Sequence, residues 1–262
     1  MALAAGRRRA LAEPKGRAMR RLHTQNLILS HLTDSELLAL ETLLEPLILP
    51  RDLDLVHTGT PVSHYYFLES GIASMVGTSS EGRKAEIGLI GRDGVSPPAL
   101  LMEGKRSPFQ VTMQVAGHGR RVEAAALAGF LREQPAVLAL LWQFGQIFFV
   151  QVAHTALSNA VHKIDVRLAK WILMCHDRLD GEEIAITHEY LATMLGVRRS
   201  SVTDALHILE GEQLINSSRG LVIIRNRLAL EAFAADAYDL PGISGPASPG
   251  IVRSPLAPAA AH

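Results

Sequence analysis

Residues 186–224, ITHEYLATMLGVRRSSVTDALHILEGEQLINSSRGLVII, decide how this chain is read. They spell two short amphipathic helices joined by a tight glycine turn, then a small hairpin. Thr187 is a good N-cap, and Glu189 falls in the first turn, where the helix dipole favours a carboxylate. Tyr190, Leu191, Met194 and Leu195 recur at helical spacing and give the first helix one apolar face. Gly196 stands where a chain leaving a helix needs positive φ, and Val197 can then tuck beneath the turn. The second helix repeats the pattern with Val202, Ala205, Leu206 and Leu209, while Arg199, Ser200, Thr203, Asp204 and His207 point outward. This layout predicts a helix-turn-helix whose second helix lies in a DNA major groove.

The spacing has a mechanical reason. A turn of three to four residues sets the helices steeply against each other, so one crosses the phosphate backbone while the other presents its N-terminal side chains to base edges. Beyond it, Leu214-Ile215 and 221–224 are apolar strands flanking Asn216-Ser217-Ser218-Arg219-Gly220, which makes the module a winged helix and places Arg219 for a phosphate. The residues expected at DNA are Thr187, Arg198, Arg199, Ser200, Ser201, Thr203, Asp204, His207 and Arg219. The competing reading is a helical hairpin inside an ordinary core. Against it, the outward face lacks the Glu/Lys pairs of a merely solvated helix, and the glycine, Val197 and the wing coincide.

The chain has 262 residues, 48% hydrophobic and 20% charged, enough for one large domain or two modest ones with a soluble composition. Its formal net charge of +0 provides no global basic field, so nucleic-acid contact must rest on local arginines. Between residues 187 and 230, five Arg (198, 199, 219, 225 and 227) face four acids, Glu189, Asp204, Glu210 and Glu212. Cys175 is the only cysteine, which excludes an internal disulfide and predicts a buried, inert thiol. No unbroken run of about 18 apolar residues appears, so no membrane span is expected. Residues 1–25 are basic and lack a hydrophobic signal core, and 239–262 are rich in Pro, Gly and Ala. Both read as disordered tails of a cytoplasmic protein.

Upstream the period changes twice. Residues 26–45 form a helical lead-in with Thr33 as a cap. Short strand candidates follow at 47–49, 54–56, 65–68, 72–76, 85–90, 111–115 and 120–123, punctuated by glycine turns, as in a small antiparallel barrel or roll. Residues 124–132 form a helix, and Pro135 opens a long one running to about 159. Leu140, Phe144, Ile147, Gln151 and His154 alternate steps of four and three, like a coiled-coil seam, beside a second stripe of Val137, Leu141, Phe148 and Val152. One stripe would cover the roll and the other would meet a second copy of the chain. Leu140, Phe144, Ile147, Phe148, Gln151 and His154 are the expected interface. A further helix at 164–179 leads into the winged helix. The fold class is therefore α+β: a β-roll sensor domain at 26–134, a dimerisation helix at 135–160, and a winged helix-turn-helix at 161–238.

Roll, long helix and winged helix in this order resemble the Crp/Fnr family of bacterial transcription regulators over roughly residues 26–238. Gly59, Tyr66-Phe67-Leu68 and Gly71 match the family's glycine-punctuated roll, and LATMLGVRRSSVTDALHILEGEQLI resembles its DNA-binding signature. The resemblance implies a homodimer on double-stranded DNA with an inverted-repeat operator, and RNA polymerase as a further partner. The departures are specific. Relatives that bind cyclic nucleotides hold the ribose with a Gly-Glu pair and the cyclic phosphate with an Arg-Ser/Thr pair. Here Gly94 is present but Val95 takes the glutamate position, and Phe109 falls near the arginine position; Arg106-Ser107 could substitute only with a register shift. A cyclic phosphate buried without a cation would be costly, so no cyclic-nucleotide binding is expected. In the recognition helix only Arg199 keeps the chemistry of the family's reading set, so the usual operator is not implied.

Other motifs fail on residue identity. His188-Glu189 has Ala192 where a zinc protease needs histidine, and Gly117-His118-Gly119 has Val122 in place of the third glycine of a dinucleotide fingerprint. No enzyme activity, cofactor or metal is expected. Two function classes remain: a dimeric transcription regulator, and a ligand-sensing module whose winged helix contacts a protein.

Overall fold

A computed structural model describes residues 23–98 and 106–238. Apart from residues 23–25, the two expected tails lie outside the described residues. The chain opens with α1 (Leu27–Ser30) and α2 (Asp34–Glu41). At Thr33 the hydroxyl accepts from Glu36 N while the Glu36 carboxylate accepts from Thr33 N, a reciprocal cap that starts α2. The buried Asn26 amide ties this lead-in to the roll, donating to the carbonyls of Leu68 and Gly94.

Eight strands follow: β1 (Glu45–Leu49), β2 (Asp54–Val56), β3 (His64–Leu68), β4 (Ile72–Thr78), β5 (Lys84–Ile90), β6 (Val95–Ser96), β7 (Gln110–Val115) and β8 (Gly117–Glu123). They pair into two antiparallel four-stranded sheets, β1-β8-β3-β6 and β2-β7-β4-β5. Leu49, Phe67, Met75, Val95, Val111 and Met113 fill the space between them. Gly71 turns β3 into β4 at φ +80°, and a Cβ there would lie 2.6 Å from the Val115 carbonyl oxygen. Every strand expected from the sequence is present, most of them longer by one to three residues. Two-residue β6 was not legible, since two residues carry no period.

The roll closes on α3 (Ala124–Glu133) and α4 (Pro135–Val161). Val137, Leu141, Phe144, Phe148 and Gln151 of α4 are buried against the roll. Two glycines act as sockets for the aromatic rings. A Cβ on Gly94 would sit 2.3 Å from the Phe144 ring, and one on Gly88 would sit 2.6 Å from that of Phe148. Gln151 accepts from Leu89 N at 2.6 Å and donates to Leu89 O at 3.1 Å, fixing the helix register on β5.

This corrects the expected seam. Phe144, Ile147, Phe148 and Gln151 are all buried within their own protomer and cannot also face a partner, while Leu140 and His154 are half-buried at its margin. Adjacent stripes on one helix together span one broad face, and both of the stripes read from the sequence lie on the side that the roll covers. The outward stripe is Trp142, Gln146, Phe149, Ala153, Ala156 and Ala160, all exposed. By length and composition α4 could cross a membrane, contrary to the expectation from runs alone. However, the roll before it and the domain after it touch each other directly, which places both ends on one side.

The C-terminal domain comprises α5 (Ile164–His176), β9 (Glu183–Ile184), α6 (His188–Leu195), α7 (Arg199–Gly211), β10 (Ile215–Ser218), β11 (Leu221–Ile224) and α8 (Arg227–Ala234). Its core is built from Ile172, Leu191, Val202, Leu206, Ile215 and Val222, and Ile72 and Leu89 of the roll belong to the same cluster. Cys175 is fully buried there, and burial pushes its thiol well up from the usual range. The hairpin turn is narrower than expected. Asn216, Ser217 and Ser218 pair with Ile223, Val222 and Leu221, leaving Arg219-Gly220 as the turn, with Gly220 at φ +80°. The Glu210 carboxylate supplies the reason: it accepts from Ser217 N at 2.7 Å and Ser217 Oγ at 2.8 Å, so serines that read as turn residues are held in the strand.

Candidate nucleic-acid interface

The two helices of the motif are positioned by their ends. Thr187 Oγ1 accepts from Tyr190 N at 3.2 Å to start α6, and Gly196 ends it in the left-handed region at φ 65°. Val197 N then donates to the Ala192 carbonyl at 2.9 Å, closing the turn. Val202, Ala205, Leu206 and Leu209 bury the inner face of α7. That leaves Arg198, Arg199, Ser200, Asp204 and His207 exposed on the outer face, with Ser201 and Thr203 half-buried beside them. Arg219 is exposed at the wing tip, and Thr187 is exposed at the start of α6.

Two features matter for chemistry. Arg198 occupies the N-cap position of α7 and makes no side-chain cap, so the first-turn N–H groups face outward with the positive end of the helix dipole. Among the described residues, none of Arg198, Arg199, Asp204 and Arg219 forms an ion pair, so their charges stay available. Thr203 is less free: its hydroxyl donates to the Arg199 carbonyl at 3.2 Å and lies 3.3 Å from His188 Nδ1. His188 was legible only as half of a failed zinc motif. Its place at the first position of α6 brings it to Thr203 of α7, a contact that one-dimensional spacing does not reveal.

Residues 166–233 match the family of the Crp-like helix-turn-helix domain. The chain thus carries a Crp-like helix-turn-helix domain. FixK2 from Bradyrhizobium japonicum superposes with a TM-score of 0.60 at 16% identity, covering 73% of this chain and 98% of that one. A CRP-family transcriptional regulator from Thermus thermophilus gives 0.58 at 20% identity, covering 75% and 99%. The c-di-GMP-responsive global regulator CLP of Xanthomonas campestris gives 0.58 at 14%, covering 73% and 99%. At these identities the likeness is one of fold. No curated protein sequence matches the chain.

The stretch of the roll where the sequence resemblance places a nucleotide cassette is filled by the protein's own side chains. Val95 is fully buried and Phe109 packs against the roll core. Ser107 donates to the Phe109 carbonyl at 2.8 Å, and Arg106 is exposed and donates to the Gly59 carbonyl at 2.6 Å. Phe144 fills the space above Gly94. Residues 99–105 of the cassette lie outside the described residues.

The DNA-binding domain is fastened to the roll by polar contacts. Arg178 pairs with Asp93 at 2.6 Å, Arg92 with Asp180 at 2.7 Å, and the Arg51 guanidinium lies 5.5 Å from the Tyr190 ring centroid. Trp171 Nε1 donates to Glu86 at 3.0 Å, and the same carboxyl accepts from Ser74 and Gln114. Complete burial raises the Glu86 carboxyl to about 7 despite these donors and the Arg178 charge. Nearby, burial lowers the Lys170 ammonium to about 8, helped by the charge of Arg167 and opposed by that of Glu86.

Proposed function

We propose that this Crp/Fnr-type transcription regulator acts as a homodimer that reads an inverted-repeat DNA operator and does not answer to cyclic nucleotides. The observation that carries the reading is the outer face of α7, where Arg198, Arg199 and Asp204 stand exposed without ion pairs among the described residues, as does Arg219 at the wing tip. Arg199 can fork onto guanine O6 and N7, Ser200 can bond either kind of base, and Asp204 can accept from cytosine N4. Arg198, the α7 N-terminus and Arg219 suit phosphates. The half-buried Thr203 reads only by giving up its bond to the Arg199 carbonyl.

Dimerisation is assigned to the exposed stripe of α4. Trp142, Gln146, Phe149, Ala153, Ala156 and Ala160 alternate steps of four and three, and Leu157 and Val161 add apolar flank. Small alanines at the C-terminal end let two backbones approach, while Trp142 and Phe149 anchor the other end. Cyclic-nucleotide independence is supported by the Phe144 ring over Gly94 and by the absence of a cation at Phe109. The work of such a protein is binding rather than catalysis, in the cytoplasm, with RNA polymerase as a partner.

Selection from a random DNA pool tests this reading. Recovered fragments should share an inverted repeat with half-sites about one helical turn apart. Cyclic AMP or cyclic GMP should leave retention unchanged. Recovery of unrelated sequences, or retention that rises with either nucleotide, contradicts the proposal.

A further inference from the structure

The junction between the domains holds a pocket that DNA reading does not use. It lies between Glu86 of β5, Ser158 and Asn159 near the end of α4, Arg167 and Lys170 of α5, and Met194 and Leu195 at the end of α6. Arg167 and Lys170 are three residues apart on one helix and so project from the same side. Lys170 is only 5% exposed, and its ammonium donates to the His154 carbonyl at 3.1 Å. Arg167 donates from Nη2 to the Leu195 carbonyl, but its Nε is buried without a protein acceptor.

No carboxylate lies within ion-pair reach of either cation among the described residues. Glu86, the acid that borders the pocket, is already engaged by Ser74, Gln114 and Trp171. Buried Lys170 and half-buried Arg167 repel one another and have lost part of their hydration, a costly arrangement unless an anion joins them. The donors come from different helices, α5 for the two cations and α4 for the Asn159 amide at the rim. That divergence suits a tetrahedral acceptor better than a planar one.

We infer that this pocket binds a small tetrahedral oxyanion of phosphate size, held by Arg167 and Lys170. An occupant would touch the dimer helix and the DNA-binding domain together, and so would fix the placement of one against the other.

Calorimetric titration of the full chain with inorganic phosphate, against sodium chloride at matched ionic strength, tests the assignment. One saturable site per chain is expected. Arg167→Gln and Lys170→Met should each weaken it roughly tenfold or more, as loss of a charge-assisted hydrogen bond does. Glu86→Gln removes the neighbouring acid and should tighten binding, a gain that damaged folding would not produce. Circular dichroism checks each variant, and if a cation variant unfolds, the wild-type and Glu86→Gln isotherms still decide. Sulfate should compete with phosphate. Absence of saturable heat, or an isotherm unchanged by all three substitutions, overturns the site. Displacement by acetate as effective as by sulfate overturns the tetrahedral assignment.

Discussion

Replacing Phe149 with Asp should convert the protein into a folded monomer. Phe149 is 71% exposed in the single chain, so its own protomer does not depend on it. Burying such a ring against a partner contributes roughly 1.5–3 kcal/mol, and two-fold symmetry counts it twice. The variant forfeits that burial and adds two facing carboxylates to an apolar seam. Light scattering should report the mass of one chain with an unchanged circular dichroism spectrum. Affinity for a two-half-site operator should fall by about two to four orders of magnitude as linked binding is lost. Ile147→Asp, the substitution that the sequence period alone recommends, is a poorer probe. Ile147 is 9% exposed within the protomer, so a charge there would damage the contact between α4 and the roll. A Phe149→Asp protein that remains dimeric would place the interface elsewhere.

The second large effect concerns pH. Glu86 titrates near 4.5 in an unfolded chain and near 7 when folded, so between these values the folded state holds the proton more tightly. The stability this gives is complete below about 4.5 and is lost as pH climbs through 7, by roughly 3 kcal/mol. Lys170 acts at higher pH. Its folded value of about 8 lies below 10.5, so its contribution is present above 10.5 and is lost as pH falls toward 8. Together the two groups place a stability minimum at pH 7–8, at the contact where Trp171 of α5 meets β5. Thermal melts from pH 5 to 7.5 should show wild type losing stability and Glu86→Gln staying nearly flat by comparison. Parallel profiles would mean that the Glu86 carboxyl does not change charge in this range.

The parts of the fold that were legible in the sequence are those specified locally. Thr33 with Glu36, Thr187 before α6 and Gly196 after it each satisfy a helix end within a few residues, so their signal survives in one dimension. Strand cores in the roll were legible for the same reason, through period two and glycine turns. Features that failed depend on distant partners. Ser217 belongs to β10 because Glu210 binds it, and Phe144 and Phe148 face inward because Gly94 and Gly88, respectively, leave room for their rings. The buried acid at position 86 and the cations at 167 and 170 converge only when α5 docks on the roll, more than 70 residues after β5 in the chain. The DNA-reading face was accessible to sequence because it lies on a single helix. The junction pocket was not, because four elements build it.

The central claim is that the outer face of α7 reads bases while Arg219 and the helix N-terminus hold phosphate. Titrating a selected operator and a scrambled duplex with wild type, Arg199→Ala, Asp204→Ala and Arg219→Ala across a range of salt tests it most directly. Arg199→Ala and Asp204→Ala should each lose roughly 1–3 kcal/mol at one symmetric base pair, relax preference only there, and keep wild-type affinity for the scrambled duplex. Arg219→Ala should weaken both duplexes alike and flatten the salt slope by about one unit for each half-site. Operator preference left intact by both Arg199→Ala and Asp204→Ala would contradict the account, because the sequence would then be read by some other surface.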